Sequence, residues 1–405
     1  MNVIYADNNA TTRVAPEVVE AMEPFFTECY FNPSSMYEPA RGASDAIAQS
    51  RRTIMTVLGA ADENEILFTG CATESNNHAI FGTLRALAMS DPQRREVITT
   101  AVEHPAVLEV CNQLERDGYT VHRIGVDTHG NLDIRAFVRA LRPGHTAIVS
   151  IMHANNETGV LFPVEHLSTL TKETDPSILF HTDATQSVGK QPIDLSGNFA
   201  HVDLLSMSGH KIHAPKGIGL LYIRRGTPIR SFLIGGHQES GRRGGTENVA
   251  YIVGLAKAME LVSASSDVDE ARIRELRNRF EEGLRRLIPA IRVNGEGAPR
   301  LPGTTNVSCW SIEGESILMS LNLEHICASS GSACTSGSLE PSHVLRAMHV
   351  PLGAIGGSIR FSFSRYTTDE EIDRILAVFP EIVSNLREKS PFWDVVTQSP
   401  TGIES

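Results

Sequence analysis

Along the chain, short apolar runs rich in β-branched residues alternate with longer segments whose apolar positions recur every three or four residues. Ile66-Leu67-Phe68, Val97-Ile98-Thr99-Thr100, Ala147-Ile148-Val149-Ser150-Ile151, Ile178-Leu179-Phe180-His181, Val202 to Leu205 and Leu220-Leu221-Tyr222-Ile223 predict buried strands. The segments 74–89, 105–117 and 163–173 predict helices. Strands alternating with helices in this way are the pattern of an α/β protein with a largely parallel sheet. From about residue 255 the texture changes. Ile273, Leu276, Phe280, Leu284 and Leu287 mark one face of a long helix. Thr368-Asp369-Glu370-Glu371 has capping-box spacing ahead of a second amphipathic helix carrying Ile372, Ile375, Leu376 and Phe379. The predicted division is a large domain over 15–258 and a smaller one from 1–14 and 259–405.

The 405 residues suit two or three domains, and 41% hydrophobic with 21% charged residues is an ordinary globular composition that excludes disorder and collagen-like structure. A net charge of −12 argues against a nonspecific nucleic-acid binder, which needs a basic face. With no basic-then-apolar start and no apolar run long enough to span a bilayer, the expectation is a cytoplasmic protein without membrane contact. Cys29, Cys71, Cys111, Cys309, Cys327 and Cys334 are scattered and form no CxxC pair, which predicts free thiols rather than a disulfide scaffold.

In open α/β sheets chemistry collects just beyond the C-terminal ends of the strands, and here those segments are dense in reactive side chains. Thr69-Gly70-Cys71-Ala72-Thr73-Glu74-Ser75 opens a helix with free N–H groups and a hydroxyl, which suits a phosphate, although an ordinary helix cap reads the same way. Val102-Glu103-His104-Pro105 places a histidine before a proline-started helix, either as an acid/base or ring-stacking group or as a plain cap. His153-Ala154-Asn155-Asn156-Glu157-Thr158-Gly159 is a turn rich in hydrogen-bonding groups. Asp183, at the end of an apolar strand, is expensive to bury unless it meets a cation; its bland reading is another cap. The strongest local signal is Ser206-Met207-Ser208-Gly209-His210-Lys211, continuing to Pro215-Lys216-Gly217-Ile218-Gly219. A lysine held among small residues at sheet ends can be desolvated, freeing its amine for Schiff-base chemistry; a phosphate-binding lysine is the competing reading. The window 209–245 holds seven Lys/Arg against one acid, Glu239, which points to an anionic ligand or to a solvated basic surface.

One imine-forming lysine, one aspartate for a pyridinium nitrogen, one stacking histidine and one phosphate cup are together the requirements of pyridoxal phosphate. The order of the segments carries a resemblance. ATES at 72–75, EHPAV at 103–107, NNETG at 155–159, HTDATQSVGK at 181–190, SGHKIHAPKGIG at 208–219, GGTEN at 244–248 and SSGSACTSGS at 329–338 resemble the cysteine desulfurases, within the fold-type I, aspartate-aminotransferase-like pyridoxal-phosphate enzymes. The likeness runs from DNNATT at 7–12 to SIRFSFSRYTT at 358–368. It is greatest to the nitrogenase-maturation (NifS) type, through DNNATTR, ILFTGCATES, GHQESGRRGGTEN and SGSACTSGSLEPSHVLRAM.

The resemblance implies a mainly parallel seven-stranded sheet in the large domain, a smaller α+β C-terminal domain, and a catalytic loop at about 327–340. It implies that Lys211 joins the cofactor aldehyde, Asp183 pairs with the ring nitrogen, Gln186 binds the ring oxygen, and His104 stacks on the ring and moves protons. Ala72, Thr73, Ser208 and His210 would bind the phosphate, with Thr246 reaching the phosphate of a neighbouring subunit, so a homodimer is implied. Asn155, also assigned to the cofactor, and Arg360 would hold the substrate carboxylate. Cys334 sits among small residues with no large apolar neighbour, in a segment suited to an exposed loop. The resemblance makes it the nucleophile that takes the sulfur of L-cysteine as a persulfide, leaving L-alanine, and passes it to an iron–sulfur scaffold protein of the NifU/IscU type, with which it could transiently share an iron–sulfur ligand. Cys71 is the next candidate thiol, and Cys29, Cys111, Cys309 and Cys327 read as structural. The rival readings are a housekeeping or tRNA-thiolation desulfurase, a selenocysteine lyase or another aminotransferase-fold enzyme, a sulfur carrier without catalysis, and a subunit with a vestigial site.

Overall fold

The computed structural model describes residues 3–330 and 341–401. Its centre is a seven-stranded sheet in the spatial order Ile66–Thr69, Gly219–Ile223, Leu204–Ser208, Leu179–Asp183, Thr146–Ser150, Glu96–Thr100, Thr120–Ile124. Gly219–Ile223 alone runs against its neighbours, and the other pairings in the sheet are parallel. Alternate residues feed two apolar clusters on opposite faces, as the two-residue period of a strand requires. Ile66, Phe68, Leu205 and Tyr222 enter one cluster, and Leu67, Leu204 and Leu221 the other. The continuous apolar runs in the sequence are the consequence of this double burial.

A second core lies beside a four-stranded antiparallel sheet of Ser329–Ser330, Ser358–Ser362, Thr304–Cys309 and Ile291–Asn294. Leu276, Phe280 and Leu284 pack there with Val307, Phe361 and Phe379, and the Phe280 ring meets Phe361 edge-on at 5.0 Å. Leu287, the last residue of its helix, is 45% exposed and drops out of the predicted face. That helix, Val249–Leu287, serves both cores: Leu255 and Met259 enter the first, Leu276 and Phe280 the second. The boundary expected at 258 therefore falls inside a helix. Val344, Leu345 and Met348 also return to the first core.

Helix Asp369–Arg387 starts at a complete capping box, with Thr368 and Glu371 bonding each other's backbone N–H groups. Trp393 in the C-terminal tail is buried, with the Arg387 guanidinium 3.9 Å above its ring. Two details differ from the sequence pattern. The strand expected at 202–205 runs over Leu204–Ser208, because its ladder with Gly219–Ile223 continues through Ser206 and Ser208. The helix expected over 74–89 runs from Ala72 to Ser90 with a π turn at His78–Gly82, where the Gly82 carbonyl accepts the Arg230 N–H at 3.0 Å. No single helix among the described residues is long and apolar enough to cross a membrane.

Candidate active site

The C-terminal ends of the parallel strands open on a cavity of about 340 Å³, bordered also by the N-terminal residues Asn9 and Ala10. Asp183 ends the strand Leu179–Asp183 and lines this cavity. Its Oδ1 accepts the Thr185 N–H at 2.9 Å, and its Oδ2 accepts the Asn76 side-chain amide at 2.7 Å. A charge-assisted donor on each oxygen compensates the burial of the carboxylate. Asn76, fully buried on the helical run that begins at Ala72, was not distinguished in the sequence; its place one helical turn after Ala72 and Thr73 was the available signal.

Lys211 follows the strand Leu204–Ser208 on a single 3₁₀ turn, and its ammonium donates to the carbonyls of Asn9 at 2.6 Å and Ala10 at 2.7 Å. His104 caps the helix Pro105–Arg116, and its Nδ1 accepts the Ala106 N–H at 3.1 Å. Burial lowers the His104 pKa, and the Lys211 and His343 charges push the same way against Asp183. With Nδ1 accepting, the neutral ring carries its proton on Nε2. His210 lies against the Thr11 hydroxyl at 3.1 Å and is held down to about 4 by burial and by Lys211, Lys216 and Lys190, so it too is neutral at pH 7.

Ala72, Thr73, Ser208 and His210 all line the cavity. Cys71 precedes Ala72 in extended conformation and makes no side-chain cap, which leaves the first N–H groups of the helix available to an anion. Gln186 also lines the cavity, donating to the Asn9 carbonyl at 2.9 Å. Arg360 enters from the second sheet: Nη2 donates to Asp7 Oδ1 at 2.8 Å and Nη1 to the Asn156 carbonyl at 3.1 Å, while the buried Nε has no protein partner among the described residues.

Two expectations are corrected. Asn155 does not line the cavity: its side-chain oxygen accepts the N–H groups of Glu157 and Thr158, its amide donates to Val102, and the neighbouring Asn156 faces the cavity instead. An Asx-type turn consumes the first asparagine of the pair. Thr246 is exposed and lies outside the cavity of its own chain; the phosphate assigned to it is that of a neighbouring subunit. The basic window 209–245 does not converge on one anion site. Arg224 binds the carbonyls of Val202, Leu195 and Phe199, Arg243 pairs with Glu74, and Arg242 reaches the Asn64 carbonyl.

Two buried carboxyls escaped the sequence reading. Glu103 accepts from the Thr100 hydroxyl and the Met152 N–H, yet burial pushes it up to about 8. Glu157 takes the Ser342 hydroxyl at 2.6 Å, and burial pushes it up to about 7. Cys71 lines the cavity, and Cys111 and Cys309 are buried with thiols raised to about 12. Cys29 and Cys327 are partly buried. Cys334 and the possible iron–sulfur ligand role given to it lie outside the described residues, among which no group of three or more His, Cys, Asp or Glu could hold a metal. The strand Ser329–Ser330, which precedes Cys334 in the chain, pairs with Ile359 and Arg360.

This sheet, with a lysine, an aspartate and a histidine around a cavity at its strand ends, defines a fold-type I, aminotransferase-like α/β enzyme. The model of the class-V aminotransferases matches residues 4–375. The chain is 54% identical to a cysteine desulfurase of Trichormus azollae over 97% of its own length and 96% of that protein's. It is 51% identical to the cysteine desulfurase NifS of Azotobacter vinelandii, over 96% of this chain and 95% of that one. A solved NifS-like protein superposes with a TM-score of 0.88 at 37% identity, covering 95% of this chain and all of the other. The chain belongs to the class-V aminotransferase family and, within it, to the cysteine desulfurases.

Proposed function

We propose that this cysteine desulfurase uses pyridoxal phosphate to take the sulfur of L-cysteine onto Cys334 and delivers it, as a cytoplasmic homodimer, to an iron–sulfur scaffold of the NifU/IscU type that serves nitrogenase assembly. The observation that carries the reading is the convergence of Lys211, Asp183, His104 and Arg360 on one cavity of about 340 Å³.

The residues fit the cofactor. Asp183 suits the ring nitrogen, Lys211 the aldehyde, Gln186 the ring oxygen, His104 the ring face, and Ala72, Thr73, Ser208 and His210 the phosphate. When bound, the cofactor supplies an electron sink conjugated to the substrate amine. Arg360 has its two terminal nitrogens anchored and its buried Nε unmet, so it can grip the substrate carboxylate in a set orientation. Lys211 Nζ is the amine inside the cavity that can take a proton from the substrate Cα. His104 exchanges a proton at Nε2. The Cys334 thiolate attacks the substrate sulfur: the substrate Cβ–S bond breaks, an S–S bond forms, and a proton takes the place of sulfur at Cβ. L-cysteine and the Cys334 thiol thus become L-alanine and the Cys334 persulfide, with no outside oxidant. Pairing of Ser329 and Ser330 with the Arg360 strand ties the segment that precedes Cys334 to the carboxylate site.

The test is mass spectrometry after incubation of the loaded enzyme with L-cysteine. A sulfur adduct on Cys334, with alanine released and both lost in Cys334→Ala, is expected. Sustained alanine release without an adduct points to a lyase that frees sulfur directly.

A further inference from the structure

Behind the cavity, Lys190 donates through Nζ to the side-chain oxygen of Gln186 at 3.1 Å. Gln186 in turn donates through Nε2 to the Asn9 carbonyl at 2.9 Å, and the same carbonyl accepts the Lys211 ammonium at 2.6 Å. Lys190 does not itself line the main cavity; it lines a separate space of about 60 Å³ that Asn9 and Lys211 also border.

A glutamine amide has one accepting and one donating end, and either could face the cavity if its neighbours were indifferent. Here neither neighbour is. A backbone carbonyl only accepts, and Lys190 in its protonated form only donates, so the two together turn Nε2 toward Asn9 and Oε1 toward Lys190. The second hydrogen of Nε2 is then the one left for a ligand.

We infer that Lys190 is a positioning residue, which locks the Gln186 amide with its N–H end toward the ring oxygen of the cofactor. The inference rests on the cofactor reading above. Burial, with Lys211 and Arg360 nearby, pushes the Lys190 amine down to about 7. A lysine kept at that cost without touching the cavity is accounted for by the hydrogen bond it gives.

The test is the pH titration of the visible absorption band of protein loaded with pyridoxal phosphate. A donor on the ring oxygen favours its anionic form and lowers the midpoint, so losing the donor raises it. Lys190→Met is expected to raise the midpoint by about one pH unit, the worth of one such hydrogen bond, and Lys190→Arg to restore it. In a Gln186→Leu background Lys190→Met should add nothing further, because the pair acts as one unit. An unchanged midpoint in Lys190→Met, or an undiminished shift in the Gln186→Leu background, overturns the role. If Lys190→Met does not fold, Lys190→Leu carries the same comparison. A wild-type protein that acquires no such band overturns the cofactor reading and this role with it.

Discussion

Asp7 and Arg360 lie 353 positions apart in the chain and meet at 2.8 Å in a partly buried ion pair. The second oxygen of Asp7 accepts the Ser329 hydroxyl at 2.8 Å. One N-terminal carboxylate therefore orients the guanidinium assigned to the substrate and holds the strand that leads toward residue 334. Because the Arg360 side chain is only 3% exposed, little solvent reaches its charge to replace Asp7.

Asp7→Asn removes the charge and keeps the shape. The Michaelis constant for L-cysteine should rise about tenfold, the size of effect a weakened charge-assisted hydrogen bond produces, while kcat changes less. Chemical unfolding of the cofactor-free protein should show a loss of about 3 kcal/mol for the unpaired buried charge. An unaltered Michaelis constant would separate Asp7 from the substrate site.

Asn76→Ala deletes the 2.7 Å donor to Asp183 and leaves its Oδ2 without that partner. Pyridoxal phosphate binding should weaken about tenfold, the net worth of one hydrogen bond to a charged group. Equilibrium dialysis of the cofactor against wild type and variant measures this directly. Equal dissociation constants would make Asn76 a packing residue only.

Gly219→Ala tests the phosphate end of the cavity. A Cβ there would lie 2.6 Å from the Met207 carbonyl and 2.9 Å from the Cys71 carbonyl carbon, both backbone. The turn that presents Ala72 and Thr73 must move aside, so the variant should lose cofactor on gel filtration while its small-domain core remains folded. Full retention of the absorbance band would mean that the turn does not set the phosphate contact.

Glu103 gives the protein a pH-dependent stability of known sign. In the folded chain burial raises its pKa from the ordinary 4.5 to about 8, so between those values the folded state binds the extra proton. The stabilisation is therefore complete below about 4.5 and is lost as pH rises through about 8. In Glu103→Gln the decline in Tm of the cofactor-free protein across that window should flatten. A slope equal to wild type would place the titration elsewhere.

Much of the fold was legible because hydrophobic periodicity records which faces are covered. The continuous runs at 97–100, 147–151 and 178–181 announced strands buried on both faces, and the Thr368–Glu371 spacing announced a helix start. The failures came where local pattern is silent about register. Ser206 and Ser208 looked like loop and are strand, because a neighbouring strand continues the ladder. Leu287 looked like core and is a helix end in solvent.

By itself, the sequence determined the α/β alternation, the family, and the chemical types gathered around Lys211, since residue identity and spacing survive in the linear order. Only the tertiary structure decided that Asn156 rather than Asn155 faces the cavity, that Asn76 serves Asp183, that Asp7 orients Arg360, and that Lys190 stands behind Gln186. It also dispersed the basic stretch of 209–245 onto separate carbonyls and carboxylates. Burial of an apolar face can be read from period alone, but a buried polar group needs a particular partner at hydrogen-bond distance. Chain folding alone brings such partners together, here across as many as 353 residues.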